Sequence, residues 1–134
     1  MTFAVDMPAA ARRHLEAANT LFAGSRKDVA GYLFGLAAEC AVKAMMHDAG
    51  VKSVSATENR REDPYFAHFP ELRTMLRDGL KGRIGSPLAT FVNSDAFMNT
   101  WSTKMRYSHG KDIAPAMIQK WSEQAHQAVA AINT

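Results

Sequence analysis

Val29-Ala-Gly-Tyr-Leu-Phe-Gly-Leu-Ala-Ala-Glu39-Cys-Ala-Val-Lys43-Ala-Met-Met46 decides how this chain folds. Its apolar residues fall on every side of a helix, which predicts a helix at the centre of a bundle and not on its rim. One charged pair interrupts the run. Glu39 and Lys43 stand four residues apart, so they share a face. A charge among apolar neighbours is costly unless it meets a partner. Two readings of the pair are open. It is an intrahelical ion pair at the bundle edge, worth ~0.2–0.5 kcal/mol, or Glu39 turns inward to orient a basic group from another helix. The segment Lys104-Met-Arg106-Tyr107-Ser108-His109-Gly110 offers the candidate partners.

Outward from this helix the pattern remains helical. Before it, Asp6 is placed to cap a first helix with Pro8 in its first turn. Ala11, Leu15, Ala18, Leu21 and Phe22 form its apolar stripe, and Gly24-Ser25 ends it. The central helix starts near residues 26–28 and stops at Gly50, the expected residue just past its C-cap. Gly31 and Gly35 each weaken it by about 1 kcal/mol relative to alanine, and their spacing predicts the close approach of another helix. Residues 51–66 read as a polar, mobile loop. Pro70-Glu71 opens a third helix with Leu72, Met75, Leu76 and Leu80 inward, fraying at Gly79, Gly82 and Gly85. Ser86-Pro87 starts a fourth segment running toward Tyr107, with Leu88, Phe91, Val92, Met98, Trp101 and Met105 inward and a break at Asn93-Ser94-Asp95. Asp112 or Ala114 caps the last helix, whose stripe is Met117, Trp121, Ala125, Ala128 and Ile132. The expected fold is all-α, an antiparallel bundle of four to five helices forming a single domain over residues 1–134.

Composition narrows the classes. The chain has 134 residues, 47% hydrophobic and 22% charged, as in soluble globular domains. Cys40 is its one cysteine, so no intramolecular disulfide forms, and its apolar surroundings predict a small core residue. The opening Met-Thr-Phe-Ala-Val-Asp-Met-Pro has no basic n-region and no long apolar run. We therefore expect neither a signal peptide nor a membrane span, and place the protein in the cytoplasm. Net charge is +3. Between Ala67 and Lys111, Arg73, Arg77, Lys81, Arg83, Lys104, Arg106 and Lys111 outnumber Glu71, Asp78 and Asp95. On one face they would attract a phosphate-rich ligand; otherwise they are a solvated surface.

The chemistry concentrates late in the chain. If the helix continues through it, Arg106 and His109 share a face with Ser102, and His109 sits in the last turn where the helix dipole favours a cation. Arginine holds phosphate with two hydrogen bonds, and histidine moves protons near neutral pH. Such a pair could cleave RNA without metal, the histidine acting on the 2′-hydroxyl or leaving oxygen and the arginine on the phosphorane charge. The plainer reading is a basic cluster that neutralises helix carbonyls. His14, His47, His68 and His126 show no metal-ligand spacing, and no glycine-rich loop fits a nucleotide-binding unit, so neither a metal nor a cofactor is expected.

Two stretches together resemble the HEPN superfamily of small helical proteins. Arg13-His-Leu-Glu-Ala-Ala, followed by Tyr32-Leu-Phe-Gly-Leu-Ala-Ala-Glu39-Cys-Ala-Val-Lys43-Ala, is similar to that family's first two helices. Trp101-Ser-Thr-Lys-Met-Arg106-Tyr107-Ser is similar to the segment before its last helix. The resemblance implies a bundle, commonly homodimeric, in prokaryotic defence, toxin–antitoxin or nucleotide-linked systems, in some cases beside a nucleotidyltransferase partner. Many members are metal-independent ribonucleases with an arginine followed, after four to six residues, by a histidine. Here only Tyr107 and Ser108 separate Arg106 from His109. The resemblance thus implies binding of RNA, a nucleotide or a partner protein, through Glu39, Lys43, Ser102, Lys104, Arg106, Tyr107 and His109. The alternatives are an endoribonuclease using Arg106 and His109, and a plain helical interaction module.

Overall fold

A computed structural model describes residues 3–52, 63–80 and 87–132. Among them are five α-helices and no strand. Helix α1 spans Met7–Ala23, with the Asp6 carboxylate accepting from the Ala9 amide at 3.0 Å. Helix α2, Lys27–Asp48, is the axis of the bundle: Ala30, Phe34, Ala37, Ala38, Ala41, Val42, Met45 and Met46 are all buried. By length and apolarity alone α2 could cross a membrane, but 72% of its most apolar window is buried inside the protein. It ends as the sequence predicts. Gly50 takes a φ of +82°, and the Gly50 and Val51 amides donate back to the carbonyls of His47 and Met46.

Helices α1 and α5 (Pro115–Ala130) pack against α2. The expected stripe of α5 holds at Trp121, Ala125, Ala128 and Ile132, and only its first member differs. Ile118 is buried and Met117 is 38% exposed: both keep an allowed step to Trp121, but it is Ile118 that meets Gly31 of α2 beside Trp121. Helix α3, Glu71–Leu80, buries Leu72 and Leu76. The expected fraying glycines Gly82 and Gly85, the cap at Ser86, and the basic Lys81 and Arg83 lie outside the described residues, as does most of the 51–66 loop. The end of that loop is structured: Asp63 is buried, accepts from the Tyr65 amide and opens a 3-10 turn at Pro64–Phe66.

The fourth segment departs most from expectation. Helix α4 covers only Leu88–Val92, with Pro87 at its N-cap. Beyond it the chain makes successive turns to Trp101, then a 3-10 helix at Thr103–Tyr107 and another at Gly110–Asp112. The cause is a competing donor. Arg73 of α3 gives its Nη1 to the carbonyls of Ser94, Asp95 and Phe97 (3.2, 2.9 and 2.8 Å). A continuing helix would need those oxygens for its own amides. Arg77 likewise takes the Val92 carbonyl at 2.9 Å, at the end of α4.

Candidate functional site

Two glycines in α2 position the late segment. A Cβ on Gly35 would stand 1.9 Å from the Trp101 ring, so only glycine admits the indole there. One turn earlier, the Gly31 carbonyl accepts from Trp101 Nε1 at 3.1 Å, and Ile118 and Trp121 of α5 crowd Gly31 itself. The close approach expected at these glycines is therefore made by an indole at one and by a helix at the other. Tyr32 stacks on the outer side of Trp101, ring centroids 5.6 Å apart and planes within 16°.

Trp101 fixes where the next residues emerge. The Ser102 hydroxyl, a candidate ligand group by sequence, accepts from the Lys104 amide at 3.2 Å and caps the 3-10 helix. Arg106 lies over the Tyr32 ring (5.9 Å) and the Tyr107 ring (5.2 Å). Its Nε donates to the Thr103 carbonyl, which leaves the guanidinium edge facing outward. Tyr107 is 83% exposed, and Lys104 and Arg106 are exposed beside it. Arg106 and His109 do not share a helical face. The 3-10 helix stops at Tyr107, Ser108 and His109 are extended, and His109 Nδ1 accepts from the Lys111 amide to cap the following turn. The expected placement of His109 in a last helical turn is thus corrected.

Beyond the Arg106–Tyr107 pair lies a groove of about 580 Å³ between the start of α2 and the His109–Ile113 segment. Arg26, Lys27, His109 and Lys111 line it, with Asp28 opposite. Asp28 accepts an ion pair from Arg26 at 2.5 Å, and a Cβ on Gly110 would collide with its carboxylate. Lys27 also holds the end of α1 by donating to the Phe22 carbonyl. Arg26 and Lys27 lie outside the basic run after Ala67, and only the fold brings them beside His109 and Lys111. Of that run, Arg73 and Arg77 are committed to the α4 turn, and Lys104, Arg106 and Lys111 reach the surface.

Glu39 and Lys43 belong elsewhere. Glu39 is 2% exposed and turns inward, as one of the two readings has it, but its partner is not Arg106. The carboxylate accepts the Phe69 amide at 2.9 Å and meets His68 Nδ1 at 3.0 Å. His68 was not singled out in the sequence because its role depends on a contact 29 residues away. No Glu39–Lys43 ion pair forms between these two described residues. Cys40 is partly buried; burial, only partly offset by the neighbouring Lys43 charge, pushes its thiol pKa up, as suits a packing residue. Among the described residues no group of three or more His, Cys, Asp or Glu side chains could hold a metal. Compared with known proteins, the chain matches no family model, no curated protein and no solved structure.

Proposed function

We propose that this protein is a HEPN-like bundle that binds single-stranded RNA, as a homodimer, in a prokaryotic defence or toxin–antitoxin-type system. One observation carries the RNA reading. An exposed guanidinium sits against two tyrosine rings, and a groove lined by Arg26, His109 and Lys111 begins two residues further along the chain. Unpaired nucleotides require rings for bases and cations for phosphates: the exposed Tyr107 offers the ring face, while Tyr32, stacked on Trp101, orients the guanidinium. Each exposed stacking contact is worth about 1–3 kcal/mol per base. Arg106 supplies a phosphate contact without first having to break a carboxylate pair.

Binding, not cleavage, is the favoured activity. Arg106 and His109 stand on separate short turns, and His109 Nδ1 is already engaged by the Lys111 amide. The dimer rests on the resemblance and on the exposed Phe3 side chain. Fluorescence anisotropy with an unstructured RNA oligonucleotide tests the reading. Affinity should fall steeply with salt. Tyr107→Ala should weaken it by about 1–3 kcal/mol, and Arg106→Ala should flatten the salt slope by about one phosphate contact. No binding at low salt removes the proposal. RNA cut in EDTA by the wild type, and left intact by Arg106→Ala and His109→Ala, would replace it with the ribonuclease. Light scattering should report about twice the 14.7 kDa chain mass.

A further inference from the structure

Lys43 is the one charged side chain of α2 whose burial the fold does not explain. It is 6% exposed, yet no carboxylate or carbonyl among the described residues lies within ion-pair or hydrogen-bond distance of it. Glu39, one turn back, is held by His68 and Phe69. Lys43 instead lines a half-open cavity of about 370 Å³ between the start of α1, the end of α2 and Tyr65. That volume lies in the range of small-molecule sites. Its walls are mostly apolar, from Val5, Met7, Pro8 and Ala44. The Tyr65 hydroxyl donates to the Val51 carbonyl at 2.5 Å and makes no hydrogen bond with Lys43.

We propose that this cavity binds a small amphipathic monocarboxylate, its carboxylate on Lys43 Nζ and its hydrocarbon body against Met7, Pro8 and Ala44. The chemistry selects the class. The Lys43 ammonium opens into this cavity with no carboxylate of the described residues in ion-pair distance, and a ligand carboxylate there would gain a charge pair strengthened by the apolar walls. A phosphate dianion fits less well, since one ammonium offers few donors, and Asp6 and Asp48 at the same cavity repel a second negative charge. Neither comes within ion-pair distance of Lys43: Asp6 accepts from the Ala9 amide, and the Asp48 side chain is 58% exposed. An alcohol would fill the apolar walls and give the amine an acceptor but no counter-charge. The site is independent of the RNA reading, because it lies at the opposite end of α2 from the Arg26 groove.

Hexanoate, hexanol and hexyl phosphate, titrated into the full chain labelled at its methionine methyl groups, test this by NMR. Hexanoate should shift the Met7 methyl resonance and leave that of Met117 in place. It should bind about tenfold or more tighter than hexanol and tighter than hexyl phosphate. In Lys43→Met, shown to be folded by circular dichroism, hexanoate should lose its advantage over hexanol. Equal binding of hexanoate and hexanol, preference for hexyl phosphate, or an unmoved Met7 signal would overturn the proposal. If Lys43→Met does not fold, the three-ligand comparison on the wild type decides.

Discussion

Glu39 illustrates how one buried carboxylate organises a region far from it in sequence. It joins the middle of α2 to His68 and Phe69, at the point where the chain enters α3. Glu39→Ala leaves the buried Phe69 amide without an acceptor and should cost about 1–3 kcal/mol in chemical denaturation. Glu39→Gln keeps a carbonyl oxygen for that amide and should cost less. Equal losses would show that the amide contact is not what matters. His14, on α1, predicts a pH dependence. Burial, reinforced by the neighbouring Arg13 charge, lowers its pKa from 6.5. The unfolded chain therefore takes up a proton that the folded protein resists. This contribution to stability is complete above 6.5 and is lost as the pH falls toward the lowered folded value. Denaturation midpoints across that window should fall less steeply in His14→Gln than in the wild type; identical slopes would assign the acid sensitivity to other groups.

At the scale of elements, the contact between α2 and Trp101 matters most. Alanine at Gly35 would gain about 1 kcal/mol of helix propensity. It would also drive a methyl group into the indole, at a cost of about 1–3 kcal/mol or more. Gly35→Ala should therefore be destabilising in thermal melts and should alter tryptophan fluorescence. Gly31→Ala meets Ile118 and Trp121 at 3.2 Å and should be milder; the reverse order would contradict the packing described. The turns after α4 are held by long-range groups in the same way. Met98, buried with a φ of 54°, has its amide bound by Gln124 of α5, which also donates to the Ala96 carbonyl. The expected helix through Tyr107 fails because Arg73 and Gln124 claim its backbone groups.

At the scale of the whole molecule, the described lysines and arginines from Ala67 to Lys111, with Arg26, fall into two sets. Arg73 and Arg77 hold carbonyls of the α4 turn, whereas Lys104, Arg106 and Lys111 face solvent together with Arg26. Arg73→Ala should lower the melting temperature, having taken the Arg73 donor from the Asp95 and Phe97 carbonyls and left Ser94 only the Phe97 amide, while Arg106→Ala should leave it nearly unchanged and weaken RNA binding. If both variants behaved alike, the division would be wrong. The sequence by itself determined the all-helical class, the central place of α2 and the caps at Asp6 and Gly50, because periodicity and capping act over a few residues, and it left the direction of Glu39 open. Tertiary structure alone decided that His68 meets Glu39, that Lys43 faces a cavity, that Met117 yields to Ile118, and that Arg106 stands outside while Arg73 turns in. Each of those outcomes depends on which distant backbone groups are left unpaired after the helices pack, and no local pattern records that.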